Sequence, residues 1–157
     1  MNYLIGIHAA FGELGAIAFV WVAVEMLSPT ENRIRRATKV ALIGVVMFFI
    51  SWLSGGYYYL HNYQDVVKAV IKGGPNPWAH LVFTETKEHV FMFLPFMAIV
   101  VWSALKQYGN ELIENKKQLA KAIIILAGFI ALFAFAMAGM GYLISSGARS
   151  ALELKAI

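Results

Sequence analysis

Apolar residues fill this chain in four long blocks separated by short polar breaks, a pattern that predicts four helices crossing a membrane. The first block covers residues 3–27, has His8, Glu13 and Glu25 as its ionisable residues, and ends in the turn residues Ser28, Pro29 and Thr30. A polar connection with Arg33, Arg35, Arg36 and Lys39 leads to the second block, residues 40–60, which carries no charge. Residues 64–72 alternate apolar and polar positions at helical spacing, predicting a short interfacial helix, before Gly73, Gly74, Pro75, Asn76 and Pro77 break the chain. The third block, residues 78–105, is charged in its first half at Glu85, Lys87 and Glu88 and apolar in its second. As one helix it is roughly 40 Å long, so it is expected to protrude from the bilayer and to bend at Pro95, which lacks a backbone donor. A loop with Asn110, Glu111, Glu114, Lys116 and Lys117 precedes the fourth block, residues 120–145, where Ala127, Gly128, Gly139 and Gly141 permit close helix contacts.

Composition gives the same answer. Of 157 residues, 60% are hydrophobic and 14% charged, with mean hydropathy +0.66, which leaves too little polar surface for a soluble globule. The expected fold is all-α: an integral membrane four-helix bundle, a single domain whose main partner is the lipid bilayer. The absence of cysteine excludes disulfides, thiolate zinc sites, iron–sulfur clusters and c-type haem attachment, so any metal must rest on His, Met or carboxylates. Met1, Asn2 and Tyr3 run into the first block without a basic stretch or a cleavage site, which reads as a mature helix and not a leader.

The net charge of +4 sits mainly in the connections and reads as a topology signal, not as a nucleic-acid surface. Arg33, Arg35, Arg36, Lys39, Lys106, Lys116, Lys117 and Lys121 fall on one side, against Lys68, Lys72, Lys87, Arg149 and Lys155 on the other. The richer side is expected in the cytoplasm, with both termini outside a bacterial or archaeal cytoplasmic membrane.

Under this topology His8, His61, His80 and His89 all lie towards the extracytoplasmic face, and histidine in a bilayer is costly unless it finds a partner. On the first helix His8, Gly12 and Gly15 share a stripe, leaving room beneath an imidazole for a flat macrocycle. Gly55 and Gly56 thin the second helix beside Tyr57, Tyr58 and Tyr59. On the third, His89 shares a face with Glu85, which could hold its second ring nitrogen, while His80 and Lys87 lie together on the other side. These features suit one or two b-type haems, with His8 and His89 as the preferred axial pair. His61 and His80 form a second pair or meet the propionates, and Lys87 or Lys68 neutralises them. Glu13 is read as a partner for Lys87 or a station on a proton path, and Met137 and Met140 as packing residues.

The run from Gly6 through His8 to Phe11, the basic loop, Ser54, Gly55 and Gly56, and then Trp78, Ala79 and His80, resembles the small membrane haem proteins of the CopD and HemJ-type protoporphyrinogen oxidase group. The resemblance implies a bundle of four or five helices, haem b and membrane redox chemistry, with His8 as the first-helix histidine. In that group a lysine closely follows the third-helix Trp and His, whereas here Lys87 comes seven residues after His80 and His89 is additional. The leading expectation is therefore a b-type cytochrome passing electrons between quinone and an extracytoplasmic redox protein. The alternatives are a non-haem protein binding or transporting copper, zinc or iron, with His8, Glu85, His89 and His80 as ligands, and a non-catalytic accessory subunit, as a homo-oligomer or in a larger membrane complex.

Overall fold

A computed structural model describes residues 3–114 and 117–155, so Met1, Asn2 and Lys116, used above for leader and topology, lie outside the described residues. The described chain is helical, in the order α1 Tyr3–Met26, α2 Glu31–Lys72, α3 Ala79–Gln107, α4 Gly109–Ile113 and α5 Lys117–Lys155. Four of these, all but α4, are long and apolar enough to cross a membrane.

Local chemistry explains the boundaries. Thr30 caps α2, its Oγ1 accepting from the Arg33 amide at 3.4 Å. The interfacial helix expected at residues 64–72 is instead the continuation of α2, which widens to π-helical winding over Tyr59–Val67 and resumes as Lys68–Lys72. No glycine or proline interrupts residues 57–72, and the helical spacing there comes from Tyr63 and Ile71 turning into a small apolar cluster with Ala79. The third helix opens with a π-helical stretch, Ala79–Thr84, and unwinds at Phe91 and Met92 before resuming at Phe93–Gln107. That break is the bend expected from Pro95: with no N–H on Pro95, the Phe91 carbonyl loses its ordinary partner and takes Leu94 N instead, at 3.3 Å.

Helix α1 packs on α2 and α5, and α3 packs on the same two from the other side, so α1 and α3 face each other diagonally. The closest seam is between α1 and α2. Phe48 lies where a side chain on Gly15 would be, 2.7 Å from the position of its Cβ, and Phe19 lies over Gly44 in the same way. The two rings stack, 5.7 Å apart and 13° from parallel. In lipid, contacts of this kind hold helices together, because apolar burial supplies little drive. Leu14, Ile17 and Val24 on α1, Phe93 and Phe96 on α3, and Phe129 and Leu132 on α5 face outward, the reverse of a soluble bundle.

The ends differ. At one, Glu25 of α1 is 6% exposed and receives Arg33 Nε at 2.8 Å, Arg36 Nε at 2.9 Å and Trp21 Nε1 at 3.0 Å, clamping the turn into α2. We call this the arginine end. The other, the histidine end, is where α2 and α5 run longest: at 42 and 39 residues they reach about 60 Å, twice the roughly 30 Å of hydrocarbon in a bilayer.

Candidate functional site

Ser51 stands in the middle of the charge-free stretch of α2, fully buried, and it decides how His8 is held. Its carbonyl oxygen lies 2.8 Å from His8 Nδ1, so Nδ1 carries the hydrogen and donates. Its hydroxyl donates to the His8 carbonyl at 2.8 Å and sits 3.0 Å from Nδ1. This leaves Nε2 with its lone pair, and Lys87 Nζ approaches that atom from α3 at 3.2 Å. Phe91, one turn beyond Lys87, presents its ring to the imidazole at 5.6 Å and 72°. Gly141 of α5 makes the space for the lysine head, since a Cβ there would lie 3.2 Å from Nζ. All four long helices thus build one polar point in an apolar interior.

A second centre lies further towards the histidine end, between the two π-helical stretches. Distorted helix of this kind often marks functional positions. Tyr63 from one stretch meets His80 and Thr84 from the other: Oη is 3.0 Å from His80 Nδ1 and 2.8 Å from Thr84 Oγ1, which also donates to the Ala79 carbonyl at 3.2 Å. All three side chains are buried. His80 Nε2 faces Glu85 Oε1 at 3.4 Å, and Glu85 is exposed, so the chain of contacts reaches the surface. Alongside, Glu88 comes close to the Tyr59 hydroxyl, while its Oε1 is buried without a hydrogen-bond partner among the described residues. Along α3 the two centres are roughly 10 Å apart, the rise of the seven residues from His80 to Lys87.

The four histidines do not converge. His61 is exposed and stacks on Tyr57 at 4.2 Å, donating to its carbonyl. His89 is exposed, and its Nδ1 donates to the Glu85 backbone carbonyl at 2.7 Å; the carboxylate expected to hold it turns to His80. His89 lies two residues from both Lys87 and Phe91, which places it on the opposite side of α3 from His8. The expected axial pair of His8 and His89 is therefore not brought together. His80 and Lys87 also part company, because π-helical winding advances less per residue than α-helix and seven residues no longer return to one face. Glu13, expected near Lys87, is on the exposed side of α1.

Of the glycines read as thinning the helices, Gly12, Gly15 and Gly55 are filled by protein, while Gly56 faces open space. A Cβ on Gly12 would meet Ser51 Oγ at 3.1 Å, on Gly15 the Phe48 ring, and on Gly55 His8 Nδ1 at 2.5 Å. These residues do not fit a haem between His8 and His89, and among the described residues no group of three His, Asp or Glu side chains gathers for a metal ion.

Comparisons add no relative. No protein-family model, curated protein or solved structure matches the chain. The site residues missing from the sequence reading are Ser51, Tyr63 and Thr84, while Gly141 entered it only as a small residue permitting close helix contacts. Ser51 carried a usable signal as a polar residue in an uncharged span, and Tyr63 another as an aromatic hydroxyl set apart from the cluster at Tyr57 to Tyr59.

Proposed function

We propose that this chain is an integral membrane protein, with its histidine end and both termini outside the cytoplasm, that binds and transfers protons through that half of the bundle. The observation that carries the reading is the contact of His8 with Lys87. A base and an ammonium group share one hydrogen bond in an apolar interior where either alone is costly. A proton can pass from Nζ to Nε2 along that bond while the heavy atoms stay in place, so the pair holds one positive charge on either residue. The Ser51 carbonyl at Nδ1 keeps the ring from turning away.

The outer centre supports the same reading because it has two complete hydrogen-bonding arrangements that differ in the position of one proton. In the first, Thr84 donates to Ala79 O, Tyr63 donates to Thr84, and a doubly protonated His80 donates to Tyr63 and to Glu85. In the second, the Nε2 proton has passed to Glu85, and a neutral His80 keeps Nδ1–H on Tyr63 while Nε2 accepts from the Glu85 carboxyl group. Moving that one proton across the contact between Nε2 and Glu85 converts one into the other, and it joins or leaves the protein at the exposed Glu85. Proton flux into vesicles containing the purified chain, driven by a potassium diffusion potential, tests this. The wild type is expected to conduct, and Lys87→Met to slow the flux on the order of 100-fold, as for loss of a positioned proton donor. Equal flux in both overturns the reading.

A second reading keeps the expected haem or a non-haem ion on His8. It is favoured by the backbone carbonyl at Nδ1, the arrangement that orients metal-binding imidazoles. A haem absorption band, or stoichiometric copper, zinc or iron, that disappears in His8→Ala decides for it.

A further inference from the structure

At the arginine end, away from both proton-bearing centres, the start of α2, the end of α3 and α4 enclose an open cleft of about 370 Å³. Arg35, Lys39 and Lys106 line it against a single carboxylate, Glu31, and the apolar side chains of Ile34, Leu105 and Ile113 complete the wall. We propose that this cleft holds the phosphate-bearing headgroup of an anionic membrane lipid.

The division of the basic residues on α2 carries the argument. Arg33 and Arg36 are both engaged by Glu25, which fixes their guanidinium groups at the turn into α2. Arg35 and Lys39, four residues apart, share a different face of the helix and turn to the cleft. Arg35 is steadied by Asn32, its Nη2 donating to Oδ1 at 2.7 Å, and the cleft still has three cations for one anion. A guanidinium and two ammonium groups suit a phosphate, the first as a planar fork and the others as point charges.

The position of the cleft supplies the second part of the recognition. Lys106 lies over the Trp102 ring, 5.3 Å from its centroid, and tryptophan with a basic residue one turn on is the pairing found where a helix leaves the hydrocarbon. Beside the basic groups, the exposed Ile113 of α4 adds an apolar side chain to the rim of the cleft. A basic pocket between helices at headgroup depth is how membrane proteins hold anionic lipids.

The test uses the full chain in neutral detergent, with its thermal unfolding midpoint read in micelles doped with phosphatidylglycerol, with phosphatidylcholine, or with phosphatidylcholine plus inorganic phosphate. Phosphatidylglycerol is expected to raise the midpoint by several degrees over phosphatidylcholine, and inorganic phosphate is not. The triple variant Arg35→Gln/Lys39→Gln/Lys106→Gln should lose the increment while keeping the wild-type midpoint in phosphatidylcholine. Lys72→Gln/Arg149→Gln, which removes charge at the other end, should keep it. Should the triple variant fold poorly, the single variants Lys39→Gln and Lys106→Gln are each expected to weaken retention of phosphatidylglycerol in native mass spectra. An increment that survives in the triple variant, that inorganic phosphate reproduces in full, or that the other-end variant loses equally overturns the proposal.

Discussion

Lys87 Nζ lies 3.2 Å from His8 Nε2, and the geometry of Ser51 makes that nitrogen an acceptor. Removing the acceptor and removing the donor should then have unequal costs. In His8→Phe the lysine head is left without its partner in an apolar interior, a loss of about 1–3 kcal/mol or more for an unsatisfied buried polar group. Lys87→Met fills the same volume without a charge and should cost less. The double variant His8→Phe/Lys87→Met should be more stable than His8→Phe alone, as read by unfolding in mixed micelles.

Gly55 and Gly56 are neighbours in sequence with opposite surroundings. Gly55→Ala puts a methyl group 2.5 Å from His8 Nδ1, which forces the ring off the Ser51 carbonyl. Nothing lies within 4 Å of a Cβ on Gly56, so Gly56→Ala should be neutral or stabilise the helix by up to about 1 kcal/mol. Parallel melting curves of the two variants check this, with Gly55→Ala expected well below wild type and Gly56→Ala at or above it.

Tyr63→Phe keeps the ring in its cluster and removes the hydroxyl that joins His80 to Thr84. Each lost bond is worth about 1 kcal/mol in stability, a modest effect. Proton transfer should suffer far more, because neither arrangement of the outer centre can form without that oxygen. A variant with normal flux and a slightly lower melting point would contradict the role given to Tyr63.

Glu25→Gln should loosen the turn between α1 and α2. The carboxylate receives two arginines and an indole, and an amide offers one accepting oxygen and places its NH₂ group against the guanidinium groups. The expected result is a melting point lower by several degrees and faster proteolysis between Met26 and Glu31. Proton flux per folded molecule should be unchanged, since the clamp is at the end away from His8.

The four long apolar helices were legible because they depend on long runs of one residue class: the four apolar blocks, the turn at Ser28 to Thr30 and the distortion ahead of Pro95 all follow from local chemistry. The site was legible only in part. His8 and Lys87 could be named as candidates, but their pairing depends on how α1 and α3 are rotated within the bundle, which neither helix encodes alone. The π-helical stretch that opens α3 shifted its faces, and the regular spacing that joined His80 to Lys87 failed for that reason; Glu85 and His89 stand on regular α-helix, but the Glu85 carboxylate turns to His80 and leaves only its backbone carbonyl to His89. Gly12, Gly15 and Gly55 carried the right signal, small residues where something must come close, but the close neighbours were Ser51, Phe48 and His8.

Histidine-selective ¹⁵N NMR of the full chain in bilayers, with Lys87 labelled at Nζ, reads the central contact directly. The predicted spectrum has one His8 nitrogen bearing hydrogen, Nδ1, and the other, Nε2, accepting a hydrogen bond coupled to Lys87 Nζ, with that coupling absent in Lys87→Met. A His8 Nε2 that is insensitive to Lys87→Met, or one whose signal shows coordination to a metal, would contradict it.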